Sequence, residues 1–193
     1  MSAAPSETPS GCAPRTAYVL DRNDRIAAVT ADWDSFALRN GGPGACAAHV
    51  VGAPLAQAIS GDPVRMFMTA ILMRVRASGE AESVPYRCDS DTLRRWYVMT
   101  LTPLTDGAVR VEHALEREEP GGATVRIRPA ARGARGRRRC SICCRLESDA
   151  GWVDPFDAGR DGDFRVIHTV CGDCREAPMR AWRARHGPAA PPA

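Results

Sequence analysis

The chain has 193 residues, of which 44% are hydrophobic and 25% charged, so it has room for one ordinary folded domain and a small one. Its formal net charge is +3, and the positive excess lies after residue 118, where 14 arginines outnumber 9 acidic residues. A dedicated nucleic-acid-binding protein would be more basic, and no stretch reaches the roughly 18 apolar residues of a membrane span. The first residues lack the features of a secretory signal, so we expect a cytoplasmic protein whose eight cysteines stay reduced.

The N-terminal half begins with a polar segment and then shows readable periodicity. Residues 1–15 are small, polar and rich in proline, which predicts a disordered terminus. Tyr18–Leu20 and Ile26–Val29 are strand candidates on either side of a turn composition at residues 21–24. A short helix is predicted over Asp32–Asn40, because its apolar side chains share one face and two glycines follow it.

A longer helix and three strands complete this region. The helix is predicted to begin at Asp62 and Pro63, since aspartate is a good N-cap and proline fits the first turn. Its apolar residues repeat at spacings of three and four until Gly79. The three strands are predicted over Ser83–Cys88, Arg95–Thr102 and Ala108–Leu115. Residues 16–118 therefore form an α+β domain, with helices on one face of an antiparallel sheet.

The composition changes at residue 119. Residues 119–139 are rich in glycine, proline and arginine without apolar periodicity, which predicts a linker. We expect a protease to cut there and to leave a folded piece that ends near residue 118. A small module over residues 140–186 and a disordered tail over residues 187–193 follow.

Two Cys-x-x-Cys pairs, Cys140 with Cys143 and Cys171 with Cys174, are the most specific signal in the sequence. Two residues between thiols form a tight turn that points both sulfurs at one ion, and two such turns give a closed tetrahedral shell. Residues 144–170 could form a hairpin with arms at Gly151–Val153 and Phe164–Ile167, but they are too few to bury a core without a cross-link. The spacing predicts one structural zinc ion per chain. The alternative is two unrelated pairs of redox or inert cysteines.

Two further residues lie beside these pairs. Cys144 follows Cys143 directly, and adjacent residues rarely face the same ion, so we interpret Cys144 as a spare thiol that could be reactive. His168 lies three residues before Cys171. It either replaces a cysteine as a ligand or donates an N–H to a thiolate, and we favour the second role or simple packing.

At this point the sequence resembles a known family, the PAS domains, and most closely small bacterial PAS-like proteins whose tail carries Cys-x-x-Cys and His-x-x-Cys-x-x-Cys. The resemblance covers roughly residues 16–118 and 140–175. It is carried by the order of the elements, Tyr18–Ile26, Trp33, Phe36, Val51–Leu55 and Pro85–Asp89, in addition to the cysteine spacing. The resemblance implies a domain that senses ligands, light or redox state, or that mediates protein contacts, and that passes its signal to an effector.

A sensing PAS domain would bind its ligand between the sheet and the helices. The candidate wall residues are Trp33, Phe36, Phe67, Ile71, Tyr97, Met99 and Leu101. The same side chains would serve as an ordinary core, and we favour that interpretation. His49 and His113 are available as haem ligands and Cys46 as a flavin-reactive thiol, but none lies in the sequence setting that those cofactors require in PAS families; Cys88 is expected to be packed.

A run of arginines precedes the first cysteine. Arg135, Arg137, Arg138 and Arg139 could contact phosphates, but no aromatic residues are interleaved with them. We expect a solvated linker with weak, salt-sensitive and non-specific nucleic-acid binding at most.

No Ser/His/Asp set, phosphate-binding loop or carboxylate pair suggests catalysis, so the sequence predicts a protein that is not an enzyme. We expect a regulatory or sensory protein in which a PAS-like domain is tethered to a zinc-ribbon-like module. It would signal through a separate protein partner and could form a homodimer through the PAS-like domain. Two alternatives stay open: a nucleic-acid-binding transcriptional regulator that uses the arginines and the zinc module, and a thiol or metal redox switch that uses Cys144.

Overall fold

The computed structural model describes residues 15–131, 133 and 135–187. These residues form a mixed α+β structure with two five-stranded sheets. Residues 1–14 of the predicted disordered N-terminus and residues 188–193 of the predicted tail lie outside the described residues, whereas Arg15 begins the first strand.

The first sheet is antiparallel throughout, as the sequence predicts. Its strands are β1 (Arg15–Leu20), β2 (Ile26–Val29), β3 (Glu82–Arg87), β4 (Leu93–Pro103) and β5 (Val109–Pro120). Their order in the sheet is β2-β1-β5-β4-β3. Burial alternates along β4, where Tyr97, Met99 and Leu101 face the core. This period of two explains why these segments form a half-buried sheet.

Helices connect the second and third strands. The three short ones are α1 (Trp33–Arg39), α2 (Ala47–Val50) and α3 (Leu55–Ala58), and the long one is α4 (Asp62–Ser78). The long helix buries the apolar face that the sequence predicts, and its C-cap Gly79 has φ +68°, with its N–H donating to the carbonyl of Val75. The N-cap is Gly61 rather than the predicted Asp62, which is the first helical residue.

The strands of the second sheet are β6 (Val125–Pro129), β7 (Arg137–Cys140), β8 (Leu146–Ser148), β9 (Gly151–Val153) and β10 (Gly162–Thr169). Their order in the sheet is β6-β10-β7-β8-β9. Strand β10 is parallel to both of its neighbours, and the other pairs are antiparallel. Helix α5 (Gly172–His186) follows β10.

This sheet differs from the sequence prediction in two ways. Residues 119–139, predicted to be a linker, include the end of β5 and all of β6, and β7 begins within them. The predicted hairpin is also wrong, because β9 pairs with β8 while β10 pairs with β6 and β7. Parallel pairing joins segments that are distant in sequence, so neither local composition nor periodicity reveals it.

The two sheets share one hydrophobic core. Cys140, Val170 and Cys171 pack in the same buried cluster as Leu20 and Val111 of the first sheet. The backbone N–H of Arg87 donates to the carbonyl of Ile142 at 2.7 Å, which joins β3 to the loop after β7. Arg87 and Arg94 form ion pairs with Asp154 and Asp157 across the same junction. The second sheet is therefore packed against the first rather than tethered to it.

Among the described helices, none combines the length and the apolar character needed to cross a bilayer.

Candidate metal centre and the adjoining cavity

The four cysteines of the paired motifs meet at one point between the two sheets. Cys140 ends β7 and Cys143 lies in the turn after it, while Cys171 is the N-cap of α5 and Cys174 lies in the first turn of that helix. Their sulfurs all lie within 4.8 Å of one another, and the Sγ atoms of Cys143 and Cys171 are 3.9 Å apart. Four sulfurs at about 2.3 Å from a zinc ion are about 3.8 Å apart, so the cluster could hold a tetrahedral metal ion.

The surroundings of Cys140 favour the thiolate form of its sulfur. The backbone N–H groups of Ile142 and Cys171 each donate to the Cys140 sulfur at 3.4 Å. Hydrogen bonds from the thiols of Cys143 and Cys174 lower the pKa of Cys140. The hydrogen bond to Cys140 in turn raises the pKa of Cys143 to about 11. Four thiolates this close together require a cation, because each one opposes ionisation of the next.

Cys144 lies outside the cluster. Its backbone has φ +62°, which turns its side chain away from the other sulfurs and into the protein. Its thiol donates to the carbonyl of Arg87 at 3.3 Å and accepts from Arg139 Nη2 at 2.9 Å. Burial raises the pKa of Cys144 to about 12, so its thiol stays protonated and shielded.

His168 is also absent from the cluster. Its Nδ1 lies 3.2 Å from the hydroxyl of Ser141, the residue that follows Cys140. Burial, together with the charge of Arg139, lowers the pKa of His168. The imidazole therefore contacts the loop between Cys140 and Cys143 through a serine and is not one of the residues whose ligand atoms cluster there.

A cavity of about 370 Å³ adjoins the metal centre. It lies between α4, the first sheet and the loop from Cys140 to Cys143. Most of its wall is apolar, and its polar groups come from two tyrosines, two histidines and two serines. The lining includes Tyr18, Leu55, Ile59, Val64, Met68, Tyr86, Met99, His113, Ser141, Ile142 and His168.

His113 is the polar centre of this cavity. Its Nδ1 lies 2.8 Å from the hydroxyl of Tyr86, and its ring stacks on that of Tyr18 with centroids 5.8 Å apart. Burial lowers the pKa of His113 to about 4, so the imidazole is neutral at physiological pH. The sequence analysis considered His113 only as a haem ligand. The alternation of β5, which places it on the same face as Val111 and Val109, is a signal that could have identified it.

Of the seven wall residues predicted from the sequence, only Met99 lines this cavity. Trp33 donates its indole N–H to the carbonyl of Ala45 and packs on Tyr18, and Phe36 is half-buried on the same helix. Tyr97 stacks on Tyr86, and Leu101 is fully buried. Phe67 and Ile71 line a different concavity, on the α5 side of α4. The spacing of apolar residues along a helix predicts which residues are buried. It does not predict which of the buried residues line a cavity.

The arginine run is part of the fold, in contrast to the predicted solvated linker. Arg137 lies over the ring of Phe164 at 5.5 Å, and Arg138 pairs with Glu147 at 3.1 Å. Arg139 contacts Cys144, and only Arg135 lies outside the strand. Of the other candidates, His49 and Cys88 are exposed, although Cys88 was expected to be packed, and Cys46 is half-buried.

Comparison with known proteins adds nothing to this picture, since no family model and no curated protein matches the chain.

Proposed function

We propose that this protein is a non-enzymatic sensory or regulatory protein, in which a PAS-like domain binds a small molecule beside a structural zinc centre and signals through a separate protein. One observation carries the proposal: the cavity has a wall in each of the two parts. Met99 and His113 belong to the first sheet, whereas Ser141 and Ile142 lie between two of the cysteines.

The chemistry of the wall selects the class of ligand. The lining is mostly apolar and His113 is neutral, so a charged molecule would lose its hydration without gaining a charged partner. The imidazole and the hydroxyl of Tyr86 can hydrogen-bond to a polar atom. The cavity therefore suits a small, largely apolar, uncharged molecule with one or two polar atoms.

Binding of such a molecule would be transmitted through the metal-binding loop. Ile142 accepts a hydrogen bond from Arg87, and Ser141 donates its backbone N–H to the carbonyl of Thr169 at 2.8 Å. A ligand that presses on Ser141 and Ile142 would therefore act on β3, β10 and the start of α5 together. The zinc ion would hold this loop through Cys140, Cys143, Cys171 and Cys174 and would have no open position for catalysis.

The order of elements supports the PAS-like part of the proposal. Two strands, short helices, a long helix and three further strands form one antiparallel sheet, which is the order on which the sequence resemblance rests. Arg138 and Arg139 already have protein partners, and the thiol of Cys144 is buried. The nucleic-acid regulator and the redox switch are therefore less well supported.

Metal analysis of the purified full chain tests the metal centre. About one zinc per chain is expected, with no visible absorption band. Cys140→Ser and Cys174→Ser should lose the ion, whereas Cys46→Ser, outside the cluster, should keep it. A folded protein that is free of metal, or a visible chromophore, would contradict this part of the proposal.

A thermal-shift screen of small uncharged apolar molecules tests the cavity. Ile59→Trp, which places an indole in the cavity, should abolish the shift given by any hit. Met73→Trp, on the exposed side of α4, should leave it unchanged. If no such molecule raises the melting temperature, or if both variants respond alike, the sensory part of the proposal fails.

A further inference from the structure

A second concavity of about 550 Å³ lies between α4 and α5, on the side of α4 next to the one that borders the cavity. We call it the α4–α5 groove. Phe67, Ile71 and Val170 form its floor. Met66 and Met179 line it as well, and they are 72% and 37% exposed. The flexible thioether of methionine adapts to the shape of a bound partner.

The rim of this groove is basic. Arg74, Arg138 and Arg175 line it, and no acidic side chain does so in the part of the chain that the structure describes. The charge of Arg74 is balanced by the buried Glu82, and its Nη1 also contacts the Met179 sulfur at 3.0 Å. Arg138 is half exposed beside its partner Glu147. Arg175 is exposed and has no ion-pair partner within the described ranges.

We propose that the α4–α5 groove binds an amphipathic acidic segment of a partner protein. Apolar side chains of that segment would cover Met66 and Met179, while its carboxylates would pair with Arg175. The inference rests on the proposed function, because it names the surface through which the regulatory signal leaves the protein.

Charge separates this occupant from the two alternatives. A second copy of this chain, docked groove to groove, would bring the arginines of the two rims together. A nucleic acid would pair with the arginines but would leave the apolar floor without a partner. An acidic amphipathic segment matches both the floor and the rim.

The groove and the cavity share one helix. Val64 and Met68 of α4 line the cavity, whereas Phe67 and Ile71, on the neighbouring side of the same helix, line the groove. Thr169 and Val170 of the groove directly precede Cys171 of the metal cluster. A shift of α4 or of this junction on ligand binding would therefore change the shape of the groove.

Fluorescence anisotropy on the full chain, purified with its metal, tests the proposal. The probe is a labelled 16-residue peptide of leucine and glutamate with helical spacing. The controls are a scrambled peptide of the same composition and a peptide with lysine in place of glutamate. The glutamate peptide should bind at least tenfold more tightly than either control. Equal binding of the glutamate and lysine peptides would overturn the proposal.

Variants locate the binding surface. Met66→Gln and Arg175→Glu should each weaken binding of the glutamate peptide at least fivefold. The matched controls are Met73→Gln, an exposed methionine outside the groove on the same helix, and Arg180→Glu on α5. Equal effects of Met66→Gln and Met73→Gln, or of the two arginine reversals, would place binding elsewhere and overturn the proposal.

Two further readings distinguish the alternatives. Sedimentation that shows a dimer dissociated by Met66→Gln would assign the groove to a second copy, and a DNA duplex that displaces the peptide at equal concentration would assign it to nucleic acid. Either result overturns the proposal. Zinc content and the thermal-shift screen are measured on the same preparations, so failure of the groove is separable from failure of the proposed function.

Discussion

Gly61 lies where α4 meets β10, and its surroundings leave no room for a side chain. Its φ is +90°, and a Cβ atom there would stand 2.5 Å from the carbonyl oxygen of His168. Gly52 has a similar φ of +84°, but nothing lies within 4 Å of its Cβ position. The two glycines therefore have a similar φ, and only Gly61 is in close contact with another part of the chain.

We predict that Gly61→Ala lowers the free energy of unfolding more than Gly52→Ala does. Both substitutions cost about 1–3 kcal/mol for the left-handed backbone, but only the first also forces α4 away from β10. Urea unfolding at a fixed zinc concentration measures both. Equal losses would show that backbone conformation alone makes Gly61 necessary.

His113 gives a prediction on pH. Because burial places its folded pKa at about 4, below the usual value of 6.5, the neutral imidazole contributes stability that is complete above pH 6.5. That contribution is lost as the pH falls from 6.5 towards 4. The variant His113→Asn should show a flatter pH dependence over this window, and the difference between the two proteins removes the effect of acid on the cysteines. A ring signal in NMR spectra that titrates near 6.5 in the folded chain would contradict the prediction.

The sequence allows the four clustered cysteines to be predicted but not the residues that line the cavity. The spacing of Cys140 and Cys143 is local, and two residues between thiols have few geometries, so the sequence alone indicated that they share a site. The cavity depends on cross-strand register, which sets Met99 opposite His113 and Tyr86 opposite Tyr97. Nothing in one sequence fixes that register.

Arg87, at the end of β3, joins the two sheets. Its side chain is 10% exposed, and its guanidinium pairs with Asp89 at 2.6 Å and also with Asp154, which follows β9. Removing the cation would leave the buried carboxylate of Asp89 without its ion-pair partner and Asp154 with only Arg94, at 3.7 Å. The contact between the end of β3 and the segment after β9 thus depends on the charge of Arg87.

Arg87→Met should therefore lower the free energy of unfolding by about 3–5 kcal/mol. Arg110→Met, which removes a more exposed pair with Glu112 on β5, should cost about 1 kcal/mol or less. Chemical denaturation measures both variants. A similar small loss in each would mean that the pairs of Arg87 are as well solvated as those on the surface.

The elements themselves were predictable where their period was strong. Helix α4 repeats apolar residues over 17 positions, and the strands of the first sheet alternate or follow clear turns, so α4 and the antiparallel sheet are confirmed. Strands β6 and β7 were missed because they are short and rich in arginine. Both strands pair with β10: Val125 of β6 lies opposite Gly162, and Arg137 of β7 lies opposite Val166. Pairing between segments so far apart along the chain leaves no pattern in the local sequence.

For the whole molecule, the shared core changes what truncation should do. The sequence predicts a folded piece that ends near residue 118, but Cys140, Val170 and Cys171 pack in the same core as the first sheet. We therefore expect a fragment of residues 15–118 to expose apolar surface and to be unfolded or aggregated. Circular dichroism and NMR dispersion, compared with the full chain, measure this. A folded fragment would show that the two sheets belong to two independent domains, with a boundary near residue 118.

The position of the four cysteines between the two sheets also has a consequence for the abundance of this protein in the cell. An ion that binds only the folded chain adds about 4 kcal/mol to its stability when free ion exceeds the dissociation constant a thousandfold. With a single core, that increment belongs to the whole chain and is withdrawn from the whole chain when the ion becomes scarce. Scarcity would then reduce the amount of protein that survives proteolysis, so its abundance would follow the availability of the metal.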